Sequence, residues 1–357
     1  MLSISARFTP RLCSRFGGSK PASDFFLDLA YAMVPYEMWK TSLENTQAFF
    51  LLGMADWGKG ERDKSSINMG IAVRMAGMLR LHREETYQLG LDATADDVVN
   101  AESARRTFWV IQNHDNLYTQ QHLPASFAKA DITTLLPSDE SDFAFGNVPT
   151  NRAALTGTAP ALRDTSLTSL PRRSLFATLI QTHDLWGMVA RDAYDEAGTS
   201  TLNARPWSPD SDFSRAATIL RDWEMNIPHN HRWSPWNLRG FKAEKVDLAY
   251  LSIVTIARLN NIVLRRVYLR HMTKQLLERD HGQAPAPAGF WQKLSDELFS
   301  NVWQLYESID VWFSLRSQED GFPAILAFCT YVCGSLACYI YRWPQLCPSL
   351  EPSPEVV

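Results

Sequence analysis

Cysteine is scarce and unpaired: five residues among 357, with Cys13 alone near the start and Cys329, Cys333, Cys338 and Cys347 crowded near the end. An odd count without the paired spacing of a zinc site points to a reduced, intracellular chain and assigns no metal. Charge of one sign is missing too. Lys and Arg total 35 against 39 Asp and Glu, a net −4, so the chain as a whole is no basic nucleic-acid binder and any DNA contact would be local. No run alternates with the period of a strand. There is no HExxH, phosphate-binding loop, dinucleotide fingerprint or nucleophile elbow, so no catalytic residue and no cofactor is assigned in this chain. Long apolar runs are absent but for one, Gly321 to Tyr341, uncharged throughout. It is long enough to cross a bilayer. Pro323, Thr330, Gly334, Ser335 and three Cys make it only mildly hydrophobic, and it reads as a core helix, with no membrane partner assigned and the thiols as small buried hydrophobes.

What is there is helical periodicity. Helices are predicted near 24–34, 42–57 (capped by Ser42 or Asn45), 67–81, 96–119, 174–197, 213–226, 243–278, 290–316 and 322–341. This predicts an all-α fold, a large irregular helical domain with no significant sheet. Its core is expected on the helices bearing Ile71, Met75, Phe108, Trp109, Leu251 and Leu259. In the third helix Ile67, Ile71, Met75 and Met78 are spaced to share one buried face. Residues 1–136 form an N-terminal helical part and 174–343 a C-terminal one. The stretch 137–173, rich in Pro, Ser, Thr, Gly and Asn, reads as a mobile linker, and 344–357 as a disordered tail.

Two blocks carry more than periodicity: INMGIAVRMAGMLRLHREE, and ESARRTFWVIQNHDNLYTQQHLPASFAKADITTLLP. They contain Arg74-Met75-Ala76, Leu81-His82-Arg83-Glu84, the Glu-x-x-Arg-Arg-x-x-Trp pattern of Glu102, Arg105, Arg106 and Trp109, then Asp115 and Leu136-Pro137. Together they resemble the middle homology region of fungal transcription factors, the helical regulatory domain found downstream of a binuclear zinc cluster. SLENTQAFFLLGMADWGKG, ILRDWEMNIPHNHRW and NIVLRRVYL resemble neighbouring stretches of that region, so the likeness reaches to about residue 275. Asp115-Asn116 and His122-Leu123-Pro124 depart from the family's Asp-Arg and Gly-Arg-Pro. The resemblance implies a regulator of transcription acting in the nucleus. It implies DNA contact through a zinc-holding module, with a second copy, a partner regulator or a small-molecule effector as further partners. The six-cysteine pattern of that module does not occur in the 357 residues. ISARFT at residues 4–9 resembles a helix interior to the family's domain, so Met1 is not expected to be a domain boundary. The basic, carboxylate-free opening (Arg7, Arg11, Arg15, Lys20) also fits a transit peptide.

The family-motif residues Arg74, His82, Glu102, Arg105, Arg106, Trp109, Asp115 and Pro124 are the candidate site, structural or regulatory in role. Arg74 and Asp115 lie at or near apolar faces and each needs a partner, so Arg74 is expected to bond Asp115 or Glu102. Glu102 can also pair with Arg105 and Arg106 in its own helix. His82 continues an apolar face and reads as a packed imidazole, while His229 and His231 lack the third ligand of a zinc site. Two rival readings differ in class. Asp96-Asp97-Val98-Val99-Asn100 imitates the magnesium motif of a terpenoid-synthase-type enzyme, yet acidic residues at a helix start need no metal to explain them. A scaffold acting by protein association alone is the other. A basic set, Arg258, Arg265, Arg266, Arg270 and Lys274, could give weak phosphate contact.

Overall fold

A computed structural model describes residues 1–117, 125–198, 205–275, 286–317 and 321–347. Among them are fifteen α-helices and no strand, the all-α fold expected from the sequence. The chain divides into two compact units, 1–114 with 125–168, and the remainder.

The first unit holds α1 (Leu2–Ser5), α2 (Pro10–Phe16), α3 (Ser19–Glu37), α4 (Leu43–Lys59), α5 (Arg62–Met78), most of α6 (Ala95–Leu117), α7 (Glu140–Phe145) and α8 (Ala159–Arg163). Ser42 caps α4, its Oγ accepting the Asn45 N–H at 3.1 Å, and Gly60 ends the helix in the left-handed region at φ 81°. The chain then turns back and α5 packs on α4 closely enough to require Gly53. A Cβ there would stand 2.9 Å from Met69 Cγ and 3.1 Å from the Ser65 carbonyl oxygen. A polar trio sits inside this pair: Tyr31 Oη and Asn68 Nδ2 both donate to Asp56 Oδ2, at 2.6 and 2.8 Å. Asp56 is buried, and burial followed by that carboxylate pushes the Tyr31 phenol up to about 12.

The buried face of α5 corrects the sequence-based stripe. Ser65, Asn68, Met69, Ala72, Met75 and Ala76 face inward, whereas Ile67 and Met78 are exposed and Ile71 is half-buried. At 100° per residue the true stripe is rotated by about a quarter turn from the one drawn through the larger side chains. Gly53 leaves room there for the Met69 side chain, with the small residues Ser65, Ala72 and Ala76 on the same buried face. That rotation also puts Arg74 on the far side, exposed and in no ion pair among the described residues, so the expected bond to Asp115 or Glu102 is not made. A guanidinium in water needs no buried partner.

In the second unit α9 (Leu175–Gly198), α10 (Asp212–Asn226), α11 (Pro235–Ala243), α12 (Asp247–Arg266), α13 (Leu269–Thr273), α14 (Phe290–Leu315) and α15 (Ala324–Arg342) surround α12. Tyr250, Leu251, Ile256, Leu259 and Ile262 of α12 are buried. One cluster joins Leu238, Tyr250, Leu251, Val254, Trp312 and Leu326, and another joins Leu259 and Ile262 to Leu298, Phe299, Leu305, Val332 and Leu336. Both α12 and α15 are long and apolar enough to cross a membrane by composition. α12 is the core helix of the two. α15 buries only the stripe Leu326, Cys329, Val332 and Leu336, leaving Phe328, Tyr331, Cys338 and Tyr341 exposed, so the core-helix reading of 321–341 holds for one face only. Of its thiols Cys329 alone is fully buried, its ionisation pushed up to about 12 by that burial. Residues 344–347 are not a loose tail, since Leu346 and Cys347 are buried and Ser295 Oγ donates to the Leu346 carbonyl at 2.6 Å; 348–357 lie outside the described residues.

Two buried imidazoles generate a pH prediction. His231 Nδ1 lies 2.9 Å from Thr178 Oγ1, and burial, with Arg173 adding repulsion, lowers its pKa to about 4; burial alone does the same to His183. Between pH 4 and the ordinary value of 6.5 the unfolded chain binds protons that the folded chain refuses. Stability is therefore full above about pH 6.5 and falls as pH drops toward 4. The thermal midpoint, followed from pH 7 to 5, should decline, and His183→Gln with His231→Gln should flatten the decline. Parallel slopes in the two proteins would contradict this assignment.

Candidate functional site

The first unit contains a stretch, residues 132–138, that runs without a strand partner while Ile132, Thr134, Leu136 and Ser138 are buried. Buried peptide groups must find partners. Here side chains of α6 provide them. Glu102, Arg105, Arg106 and Trp109 stand at i, i+3, i+4 and i+7, one helical face. Trp109, fully buried, donates Nε1–H to the Leu135 carbonyl at 2.9 Å, and Arg105 Nη1 donates to the same oxygen at 3.0 Å. Glu102 Oε1 accepts the Ser138 N–H at 2.9 Å, and Arg106 Nη2 donates to the Ser138 carbonyl at 3.0 Å.

A second loop completes the clamp. Arg105 grips Glu84 with both terminal nitrogens, at 2.6 and 2.7 Å, the paired geometry that guanidinium and carboxylate planes favour. Glu84 Oε2 in turn accepts the Leu135 N–H at 2.8 Å, and the Glu84 N–H donates to Thr133 Oγ1 at 2.8 Å. The His82 carbonyl takes the Thr133 and Thr134 N–H groups at 3.0 and 3.3 Å, while Thr134 Oγ1 donates to the Leu81 carbonyl. Tyr87 lies under the Arg105 guanidinium, 4.3 Å from ring centre, and burial raises its phenol above the usual range. The His82 ring stacks on Phe127 at 5.4 Å, and burial, then Arg83, lowers its pKa. It is a packed imidazole, as its position in the sequence suggested.

Charge in the clamp balances internally. Glu102 is met by Arg106 Nε at 3.2 Å and by Arg152 Nη2 at 2.7 Å, with Arg105 Nε at 3.7 Å. Arg106 also reaches Glu140 at 2.8 Å and covers the Phe143 ring at 4.2 Å. Burial is the main force pulling the Arg152 pKa down, opposed by Glu102. Arg152 comes from the stretch expected to be a linker. Residues 137–173 instead pack: Ala153, Ala154, Leu155, Thr158 and Ala161 are buried, Leu136 N–H donates to the Ala153 carbonyl at 2.8 Å, and Ala154 N–H to that of Leu167 at 3.0 Å. Polar composition failed as a guide because ions on α6 and paired backbone, rather than apolar bulk, hold this segment.

Of the candidate residues, then, Glu102, Arg105, Arg106 and Trp109 converge on one cluster, and His82 borders it through its carbonyl. Arg74 faces solvent, outside this cluster. Asp115 is half-buried at the end of α6, where the chain belongs to the second unit, and Pro124 lies outside the described residues. Arg152, Glu140 and Ser138 were missed, and nothing in their local sequence marks them; Glu84 stood inside the quoted Leu-His-Arg-Glu. Asp97 belongs to a capping box rather than a metal site: its Oδ2 accepts the Thr94 N–H at 2.9 Å and the Thr94 hydroxyl at 2.7 Å. Among the described residues no group of three or more His, Cys, Asp and Glu could hold a metal ion. The clamp's guanidinium and carboxylate groups point at one another and at backbone, the arrangement of a lock.

Comparison with known proteins places these residues in context. A match to the fungal specific transcription factor domain spans residues 1–176. An uncharacterized transcriptional regulatory protein of Schizosaccharomyces pombe is 27% identical over 253 residues, 67% of this chain and 36% of that protein. A Zn(2)-C6 fungal-type transcription factor of Fusarium oxysporum is 26% identical over 210 residues, 56% of this chain and 22% of the relative. The ascochitine biosynthesis cluster transcriptional regulator of Didymella fabae is 28% identical over 101 residues, 28% of this chain and 18% of the relative. The chain thus spans about a third or less of the length of these relatives. No solved structure matches it.

Removing the hub of the clamp should be costly. Glu102→Ala leaves the Arg152 guanidinium without its carboxylate and the Ser138 N–H without its acceptor, while Arg106 keeps Glu140, a loss of about 3–5 kcal/mol for a broken buried ion pair. Trp109→Phe, which drops one hydrogen bond and some volume, should cost about 1–2 kcal/mol. Arg74→Ala should change stability by less than about 0.5 kcal/mol. Chemical denaturation ranks the three, and limited proteolysis of Glu102→Ala should open new cuts within 137–152. Equal stability of Glu102→Ala and Arg74→Ala would remove the clamp from the account.

Proposed function

We propose, from the match of residues 1–176 to the fungal specific transcription factor domain, that this chain acts in the nucleus as the regulatory part of a transcription factor, with DNA sequence read by a zinc cluster outside these 357 residues. The observation that carries the reading is the coincidence of the family match with the Glu102, Arg105, Arg106 and Trp109 clamp, whose ions are consumed in holding the fold. The domain acts by binding and by its own folded state, without catalysis. Its basic helix residues fit the same reading. Arg258 is held by Glu224 at 3.3 Å and Asn301 at 3.0 Å, and Arg265 by Glu297 at 2.9 Å, which leaves Arg266, Arg270 and Lys274 exposed. Three surface cations give weak, salt-sensitive phosphate contact and no base readout.

The test is selection of random DNA duplexes at physiological salt by the purified chain, beside the same chain joined to its six-cysteine module. Only the joined protein should enrich a motif. Strong enrichment of one motif by the chain alone would place DNA reading within these residues and overturn the proposal.

A further inference from the structure

The first unit has an open cleft apart from the clamp. It lies between α1 with the turn that follows it (Ala6–Phe8), α3 and α4, and its volume of about 480 Å³ is that of a small-molecule site open to solvent. Its inner wall is apolar, with Leu27 buried and Met54 half-buried beside it. Phe8 stands at the mouth, 78% exposed. Gly58 leaves one side open, since a Cβ there would meet no atom within 4 Å.

Polar groups meet in the same cleft with bonding capacity to spare. Ser3 is only 9% exposed, yet its hydroxyl makes no hydrogen bond among the described residues, which leaves it a donor for whatever enters. Arg7 donates Nε–H to Ser23 Oγ at 3.3 Å. That bond fixes the guanidinium at the rim, while its two Nη groups make no hydrogen bond and no ion pair among the described residues. Lys59 and Asp24, the other charged residues of the lining, are bonded to each other at 2.8 Å. Two cations thus share the cleft with one carboxylate, and Arg11, Arg15 and Lys20 add positive charge with no acidic residue before Asp24 in the sequence. Asp24 registers that field. Its carboxyl is held below the usual range first by the Lys59 hydrogen bond, against the opposing effect of burial, and then by the charges of Lys59, Lys20 and Arg7.

We propose that this cleft binds a small organic monocarboxylate with a short unbranched apolar body, the carboxylate taken by the Arg7 Nη groups and the Ser3 hydroxyl and the chain laid along Leu27 and Met54. A guanidinium offers parallel N–H donors that match the two oxygens of a carboxylate. One net positive charge in the lining suits a monoanion. The Asp24 carboxylate, already satisfied by Lys59, repels a second negative charge, which disfavours a phosphate ester, and the excess of cations disfavours an amine. The open side at Gly58 gives the apolar body its room. This site goes beyond the regulatory role proposed above and does not rest on it, because its support is the cleft alone.

Isothermal titration calorimetry of the 357-residue chain, with no DNA present, should show saturable binding of hexanoate. Along the series acetate, butanoate and hexanoate, each added methylene should tighten binding by roughly threefold to fourfold, the worth of a buried CH₂. Inorganic phosphate and hexylamine should bind at least about tenfold more weakly than hexanoate. Arg7→Ala should weaken hexanoate at least about tenfold, as loss of a charge-assisted hydrogen bond does, whereas Arg11→Ala, which removes an exposed cation outside the lining, should not. Arg7→Ala also removes the bond to Ser23, so a second variant is needed that leaves every existing contact in place. Gly58→Leu fills the open side of the cleft. Hexanoate should raise the thermal midpoint of the wild type and leave that of Gly58→Leu where it was, while the unliganded variant should be at least as stable as the wild type, leucine being the better helix former. No saturable binding, equal affinity for hexylamine or phosphate, equal losses in Arg7→Ala and Arg11→Ala, or an affinity unmoved by Gly58→Leu would each overturn the proposal. None of these results would alter the DNA selection that tests the regulatory role.

Discussion

The first unit depends on satisfying the backbone of residues 132–138. An extended buried segment without a neighbouring strand leaves peptide groups that would each cost on the order of 1–3 kcal/mol if unpaired. The solution adopted is to bring ions to the peptides: Glu102, Glu84, Arg105 and Arg106 bond the N–H and C=O groups of Leu135 and Ser138, and Trp109 adds its indole N–H. Ions can do this inside a protein only if they also neutralise one another. The bidentate Arg105–Glu84 pair and the contacts of Arg106 and Arg152 with Glu102 meet that condition. From it follow the place of α6, the path of the 81–87 loop and the packing of the polar 137–168 stretch.

The same economy of polar groups recurs elsewhere. Asp56, Tyr31 and Asn68 form a closed hydrogen-bonded trio beneath α3, and Arg173, Thr178 and His231 bring polar atoms into the second unit, where Arg173 donates to the Asn226 carbonyl and its pKa falls to about 10 through burial. Buried polar groups of this kind tie helices together in one arrangement rather than many, because a shifted register would leave them unpaired. Where the described residues form helices alone, whose apolar stripes by themselves permit sliding, such contacts fix one geometry.

The surfaces differ in kind from the interior. Where α5 turns to solvent it presents Arg74, Ile67 and Met78 singly among polar residues, whereas α3 presents a continuous apolar row and α15 an uncharged one. Single exposed apolar residues are ordinary on any protein; rows in helical phase are not. Of the charged residues in the family pattern Glu102, Arg105 and Arg106 are turned inward and Arg74 outward, while the apolar surface rows are carried by residues outside that pattern.

Amphipathic periodicity, helix caps and the Glu-x-x-Arg-Arg-x-x-Trp spacing determined by themselves that the chain is helical, roughly where its helices lie, and that four motif side chains share a face. Those signals are local, reaching no farther than a turn or two along the chain. Which stripe of α5 is buried, that Arg74 stays in water, and that Arg152 joins Glu102 across 50 positions of sequence were decided only by tertiary structure. The space left by Gly53 is filled by Met69 from the neighbouring helix, and the partner of a buried charge is chosen by where the chain returns in space, quantities that no local pattern records.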